Sequence, residues 1–147
     1  MNTTKTLYET DFNLLLTETV NLLCKGDVGK LDLENLAEEV EDMGNNRKDA
    51  LESNLIRVLQ HLLKWKCQPQ KRTNSWKGSI TEHSLLLNRA FKKSPSLKPY
   101  FEDVFAECYQ DARLIAAQET GPDILIFPKV CPFDHGDVLN PQYLPED

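Results

Sequence analysis

Apolar residues return every three or four positions along most of this chain, and the rhythm stops only where a capping or helix-breaking residue stands. A chain patterned in this way buries its side chains as packed helices. Thr10 or Asp11 opens a first helix over about 11–24, with Phe12, Leu15, Leu16, Leu22 and Leu23 on its apolar side, and Gly26 and Gly29 release it. Asp32 opens a second over 33–43, which Gly44 is expected to end. Asn45 or Asn46 opens a third over about 47–67, closed by Pro69. Asn74 or Ser75 opens a fourth over 76–93, and Ser94-Pro95-Ser96 separates it from a fifth over 97–120, where Pro99 is tolerated in the first turn. Gly121-Pro122 stops the fifth. Pro122, Pro128, Pro132, Pro141 and Pro145 then punctuate a tail over 121–147 that has room for one or two short helical turns, pinned by Phe127 and Phe133. Only 6 glycines and 8 prolines are spread over the 147 residues, which leaves little material for strands and turns. The expectation is all-α: one domain over 1–147, an irregular bundle of about five helices with a proline-punctuated tail.

Charge is segregated along that bundle. Met1 to Glu52 carries 12 acidic and 5 basic residues, Ser53 to Lys98 carries 10 basic and 1 acidic, and Pro99 to Asp147 carries 2 basic and 10 acidic. The net charge of −6 therefore conceals an acidic–basic–acidic order. Such an order either folds back on itself or offers a cationic surface to an acidic partner.

Several polar residues fall on faces that ought to be apolar. On a wheel of about 100° per residue, Leu33, Leu36, Ala37, Val40 and Met43 form a stripe, Glu34, Glu38, Glu41 and Asp42 gather elsewhere, and Glu39 edges the stripe. Carboxylates this close need a cation nearby, either basic side chains of the middle block or a metal. In the third helix Glu52 sits inside the arc of Leu51, Leu55, Val58, Leu59, Leu62 and Leu63; in the fourth, His83 sits inside that of Trp76, Ile80, Leu87, Ala90 and Phe91. A charge facing a core needs a hydrogen-bonded partner. A Glu52–His83 hydrogen bond is the first expectation, with a tyrosine, an arginine or water as the other partners for Glu52. Glu39, Glu52, His61, Glu82 and His83 together have the residue types of a carboxylate–histidine metal site in a helical bundle, although no Glu-x-x-His spacing is present. A divalent metal is the only cofactor this composition suggests, with Glu39, Glu52, His61 and His83 as its ligands.

The segment 64–77 holds Lys64, Lys66, Lys71, Arg72 and Lys77 with Trp65 and Trp76 and no acid. Basic residues can hold phosphates while an exposed indole stacks on a base. The competing reading places both tryptophans on core faces, with lysine stems covering one end of the bundle. The acidic ends of the chain also oppose nucleic acid. Cys24, Cys67, Cys108 and Cys131 are scattered, with no zinc spacing, and are read as free thiols. There is no Gly-x-Ser-x-Gly and no phosphate-cradling glycine loop. No apolar run approaches the roughly 18 residues of a membrane span, and Met1 to Tyr8 lacks the pattern of a signal peptide, so a cytoplasmic setting is expected.

Leu36-Ala37-Glu38-Glu39-Val40-Glu41-Asp42-Met43-Gly44, His61-Leu62-Leu63-Lys64-Trp65 and Arg72-Thr73-Asn74-Ser75-Trp76 resemble the family called domain of unknown function 29. Leu7 to Phe12, Asp111-Ala112-Arg113, Glu119-Thr120-Gly121, Phe127-Pro128, Cys131-Pro132 and Tyr143-Leu144-Pro145 extend the resemblance over nearly the whole chain. It implies an all-helical single domain and a cyanobacterial source, and no activity, cofactor or substrate. The chain departs from the family at Ser84, Leu85 and Leu86, which follow Glu82-His83 where arginines are common, and which widen the apolar face of the fourth helix.

The function expected from these features is a non-catalytic, cytoplasmic protein-binding or adaptor module that recognises a protein partner through an apolar-plus-charged surface. A polar cluster of Glu39, Glu52, His61 and His83, edged by Trp65, Arg72 and Trp76, is its candidate site. The alternatives are a metal- or small-ligand-binding enzyme centred on that cluster, and nucleic-acid binding through 64–77.

Overall fold

The computed structural model describes Leu7, residues 9–121 and residues 123–146; Pro122, expected to help stop the fifth helix, and Tyr8, within the N-terminal stretch 1–8, lie outside them. Helices α1 (Phe12–Lys25), α2 (Leu33–Cys67), α3 (Asn74–Lys93), α4 (Lys98–Thr120) and α5 (His135–Leu139) follow in order. Single 3-10 turns stand at Val28–Lys30, Pro69–Lys71, Pro95–Leu97 and Ile124–Ile126. Among the described residues there is no strand, as the apolar rhythm requires.

The helix ends follow capping chemistry. The Asp11 carboxylate accepts from the Leu14 N–H at 3.0 Å. Gly26, at φ 73°, lets the Asp27 N–H turn back to the Leu22 carbonyl. Asp32 accepts from the Asn35 N–H at 3.2 Å. Gly121, at φ 84°, ends α4. The start of α3 differs from expectation by one residue. Thr73, with extended backbone, is the cap, and its hydroxyl accepts from the Trp76 N–H. Asn74 already has the helical conformation that a cap must lack.

The expected break at Gly44 does not occur, and 33–43 and 47–67 belong to one helix of 35 residues. A glycine ends a helix by taking positive φ, and in this chain only Gly26 and Gly121 do so. Gly44 in a helical conformation costs about 1 kcal/mol relative to alanine, which a continuous hydrogen-bond ladder tolerates. Asn45 and Asn46 therefore cap nothing.

The chain separates into two compact units, Met1–Asn46 and Arg47–Asp147. The first contains α1, the Val28–Lys30 turn and the start of α2, and among its described residues Leu15 and Leu31 are the buried ones. The second contains the core: Leu51, Leu55, Val58, Leu59, Leu62 and Leu63 from α2 pack with Ile80, Leu87 and Phe91 from α3 and with Phe101, Phe105, Cys108, Tyr109, Ala112 and Ala116 from α4. Phe91 and Phe105 each set a ring edge-on to Phe101, at 5.2 and 5.6 Å.

The tail closes this core in cis. Phe127, Phe133 and Val138 are buried in it. Because the tail has little regular structure, its carbonyls need outside donors, and helix side chains supply them. From α4, Arg113 Nε donates to the Phe127 carbonyl at 3.0 Å, Tyr109 to Pro128, and Gln110 to Lys129 at 2.9 Å. From α3, Ser84 donates to Val138 at 2.9 Å, Asn88 to Leu139 at 2.7 Å and Thr81 to Pro141 at 3.1 Å. Ser84 is thus a buried tail clasp.

Candidate functional site

The basic segment is organised as a set of internal clamps. Gln60 and Lys64 on α2, and Gln68 just past its end, recur every four residues and are all buried. Lys64 Nζ donates to Glu119 Oε2 at 2.7 Å, and Gln60 Nε2 donates to Glu119 Oε1 at 2.7 Å. The same ammonium lies 4.7 Å from the centre of the Trp76 ring. Burial alone would raise the Glu119 carboxyl, but Lys64, with help from Gln60, holds it below its ordinary value. One turn further, Arg72 Nε donates to the Trp65 carbonyl at 2.7 Å, and its guanidinium lies 5.0 Å from the Trp65 ring centre. Lys71 Nζ donates to the Thr120 carbonyl at 3.2 Å. Lys64, Lys71, Arg72 and both indoles are thus engaged with each other, with backbone carbonyls and with the end of α4, while Lys66 Nζ donates to the Glu146 carbonyl at 3.4 Å and Lys77 is exposed.

Glu52 and His83 do not pair. Tyr100 donates to Glu52 Oε2 at 2.8 Å, whereas His83 Nδ1 meets Asn54 Oδ1 at 3.0 Å. Two residues along a helix is a rotation of about 200°, so Glu52 looks towards α4 while Asn54 looks towards α3. The tyrosine alternative for Glu52 is the one that forms. Its hydrogen bond pushes the Tyr100 hydroxyl up to about 12. His61 Nδ1 lies 2.8 Å from the Arg57 carbonyl four residues earlier, and since a carbonyl only accepts, Nδ1 carries the proton. Desolvation lowers both His61 and His83 below their ordinary values. Glu82 is exposed.

Glu39 belongs to the first unit, half-buried beside a cavity of about 30 Å³ lined by Leu15, Leu16, Thr19, Asp32, Asn35 and Leu36. No group of three or more His, Cys, Asp or Glu side chains among the described residues converges as metal ligands, so Glu39, Glu52, His61 and His83 are not brought into one site. The residues that sequence reasoning missed are Gln60, Asn54, Tyr100 and Glu119, and Lys64 was read only as part of the basic segment 64–77. The four-residue Gln60–Lys64–Gln68 repeat on an otherwise apolar face was the available signal.

Both helices of the first unit leave large apolar side chains exposed. Phe12, Leu14, Leu16, Val20 and Leu23 of α1 are 42–58% exposed, and Leu33, Val40 and Met43 of α2 are 57–60% exposed. Forty-six residues without a disulfide form too small a core to cover them. The same unit bears Glu34, Glu38, Glu41 and Asp42, all exposed and none in an ion pair among the described residues. The unit carries ten acidic and three basic residues, net −7, against +1 for the second unit.

All four thiols are free. Burial raises Cys67, Cys131 to about 11 and Cys108 to about 12, which keeps them protonated and weakly nucleophilic. No described helix is long and apolar enough to cross a membrane. Comparison with known families finds that the model described as domain of unknown function DUF29 matches residues 7–144. No curated protein and no solved structure matches the chain.

Proposed function

Since the chain belongs to the DUF29 family, whose description assigns no activity, we propose that it is a non-catalytic protein-binding module whose N-terminal unit takes up a partner with an apolar face rimmed by cations. The observation that carries this reading is the run of large apolar side chains on α1 and the start of α2, 42–60% exposed, inside a unit of net charge −7. Large apolar side chains left exposed in an acidic unit have the chemistry of association, and the uncompensated carboxylates select basic residues on the other side. Four free thiols favour a reducing, cytoplasmic setting. The enzyme alternative has little support: Glu52 and His83 are tied to Tyr100 and Asn54, and Glu39 stands in the other unit. Nucleic-acid binding through 64–77 would require Trp65 and Trp76 to give up the cations already over them.

Affinity capture with the wild-type chain and with a Val20→Asp/Val40→Asp double variant tests the reading. Both positions are exposed, so the melting temperature should stay within about 2 °C. A cationic, apolar-faced partner should be recovered by the wild type and fall at least about ten-fold with the variant. Equal recovery by both chains sinks the reading, and so does a partner lost equally with Leu85→Asp on α3.

A further inference from the structure

The second unit carries a concave surface of opposite polarity. A groove of about 210 Å³ runs where α2 meets α3. Leu51, Leu86 and Leu97 give it an apolar floor, and Arg47, Arg89 and Lys93 stand along it. Leu86, Arg89 and Lys93 lie at successive three- and four-residue steps, so one stripe of α3 supplies apolar and cationic groups side by side. Arg47, Arg89 and Lys93 are exposed, and none has an ion pair or hydrogen bond among the described residues. Lys92 and Lys98, also exposed, add to the same positive field. Leu85, the neighbour of Leu86, is 48% exposed.

We propose that this groove docks one acidic amphipathic helix of a partner protein, whose apolar stripe seats on Leu86 and Leu97 while its carboxylates meet Arg47, Arg89 and Lys93. The volume decides against a free small molecule, since such sites run about 300–1,000 Å³, whereas one or two projecting side chains of a docked helix fit. The floor decides against a bare phosphate chain, which would neutralise the cations and leave Leu86 and Leu97 wet. An acidic helix satisfies both halves at once, through anchors at i, i+3, i+4 and i+7 and opposite charge along the rim. The site lies wholly in the second unit and does not depend on the surface of the first.

The test uses the full chain and three labelled probes: a synthetic helical peptide of about five turns with a leucine stripe flanked by glutamates, the same composition with its stripe scrambled, and an oligothymidylate. Anisotropy should show the acidic amphipathic peptide binding and the scrambled one not. Arg89→Ala/Lys93→Ala should weaken it at least about ten-fold and flatten its salt dependence, and Leu86→Asp should abolish it, all with melting unchanged. Val20→Asp/Val40→Asp should leave it untouched, which separates this site from the first unit's. No binding, equal binding of the scrambled peptide, binding of the oligothymidylate alone, or indifference to Arg89→Ala/Lys93→Ala overturns the proposal. A wild-type dimer dissolved by Arg89→Ala/Lys93→Ala overturns it too, in favour of a second copy as the occupant.

Discussion

Lys64 is only 4% exposed, a rare situation for an ammonium, and it is sustained by a carboxylate on one side and an indole on the other. Glu119 is 41% exposed, so the pair's strength is moderated by solvent. Lys64→Met, which keeps the stem and removes the charge, should cost about 1 kcal/mol, visible as a lower denaturant midpoint at unchanged slope. Because the Glu119 carboxyl titrates lower in the folded than in the unfolded chain, its contribution is complete above the ordinary carboxylate range and fades as pH falls through that range. Glu119→Gln should flatten the acid limb of a melting-temperature profile. His61 and His83 act in a different window. Both are lowered by burial, so the unfolded chain takes up their protons first, and stability should decline as pH falls below 6.5. Paired melts at about pH 7.5 and 5.5 should show a smaller decline in His61→Gln. Sequence periodicity revealed that Glu52 and His83 needed partners. It could not reveal which, because a wheel fixes the direction of a side chain on its own helix and is silent on which neighbour stands there.

At the level of elements, local chemistry read well wherever the deciding group is covalently close. Asp11, Asp32, Gly26 and Gly121 mark their helix ends because a cap acts within four residues. Gly44 was misread because its residue type permits positive φ without requiring it, and only the balance over the whole ladder decides. Nothing stands within 4 Å of a Cβ built at Gly44, and its φ is not positive. Gly44→Ala should therefore stabilise by about 0.5–1 kcal/mol and raise the helical circular dichroism signal at high temperature. A loss of stability would mean that α2 is broken there after all. The tail was legible in its apolar anchors and invisible in its polar ones. Phe127 and Phe133 announce burial, but carbonyls at Val138, Leu139 and Pro141 have no side-chain signature, and their donors lie more than 50 residues away in sequence. Ser84→Ala strands a buried carbonyl and should cost about 1–3 kcal/mol on chemical denaturation.

Over the whole molecule, the three charge blocks resolve into two different fates. The basic middle and acidic last blocks share the second unit, where Lys64 joins Glu119 and Lys71 reaches the Thr120 carbonyl. The first acidic block falls mostly in the first unit, where Glu34, Glu38, Glu41 and Asp42 are exposed and join no ion pair among the described residues. The extended core cluster lies wholly within 47–147, so we expect that fragment alone to melt cooperatively, close to the full chain's temperature by calorimetry. Failure of the fragment to fold would make 1–147 a single cooperative domain, the expectation drawn from its length. The position of Phe127, Phe133 and Val138 in that core also sets a timetable for biosynthesis. These residues are joined after α2, α3 and α4, and at about 5–20 residues per second the stretch from Phe127 to Val138 takes roughly 0.6–2.4 s to synthesise. Until it emerges from the ribosome, the seats it fills against α3 and α4 stand open to water. The nascent protein thus passes through an interval in which α2, α3 and α4 are made, the clasp is not, and the open core is at its most attractive to chaperones.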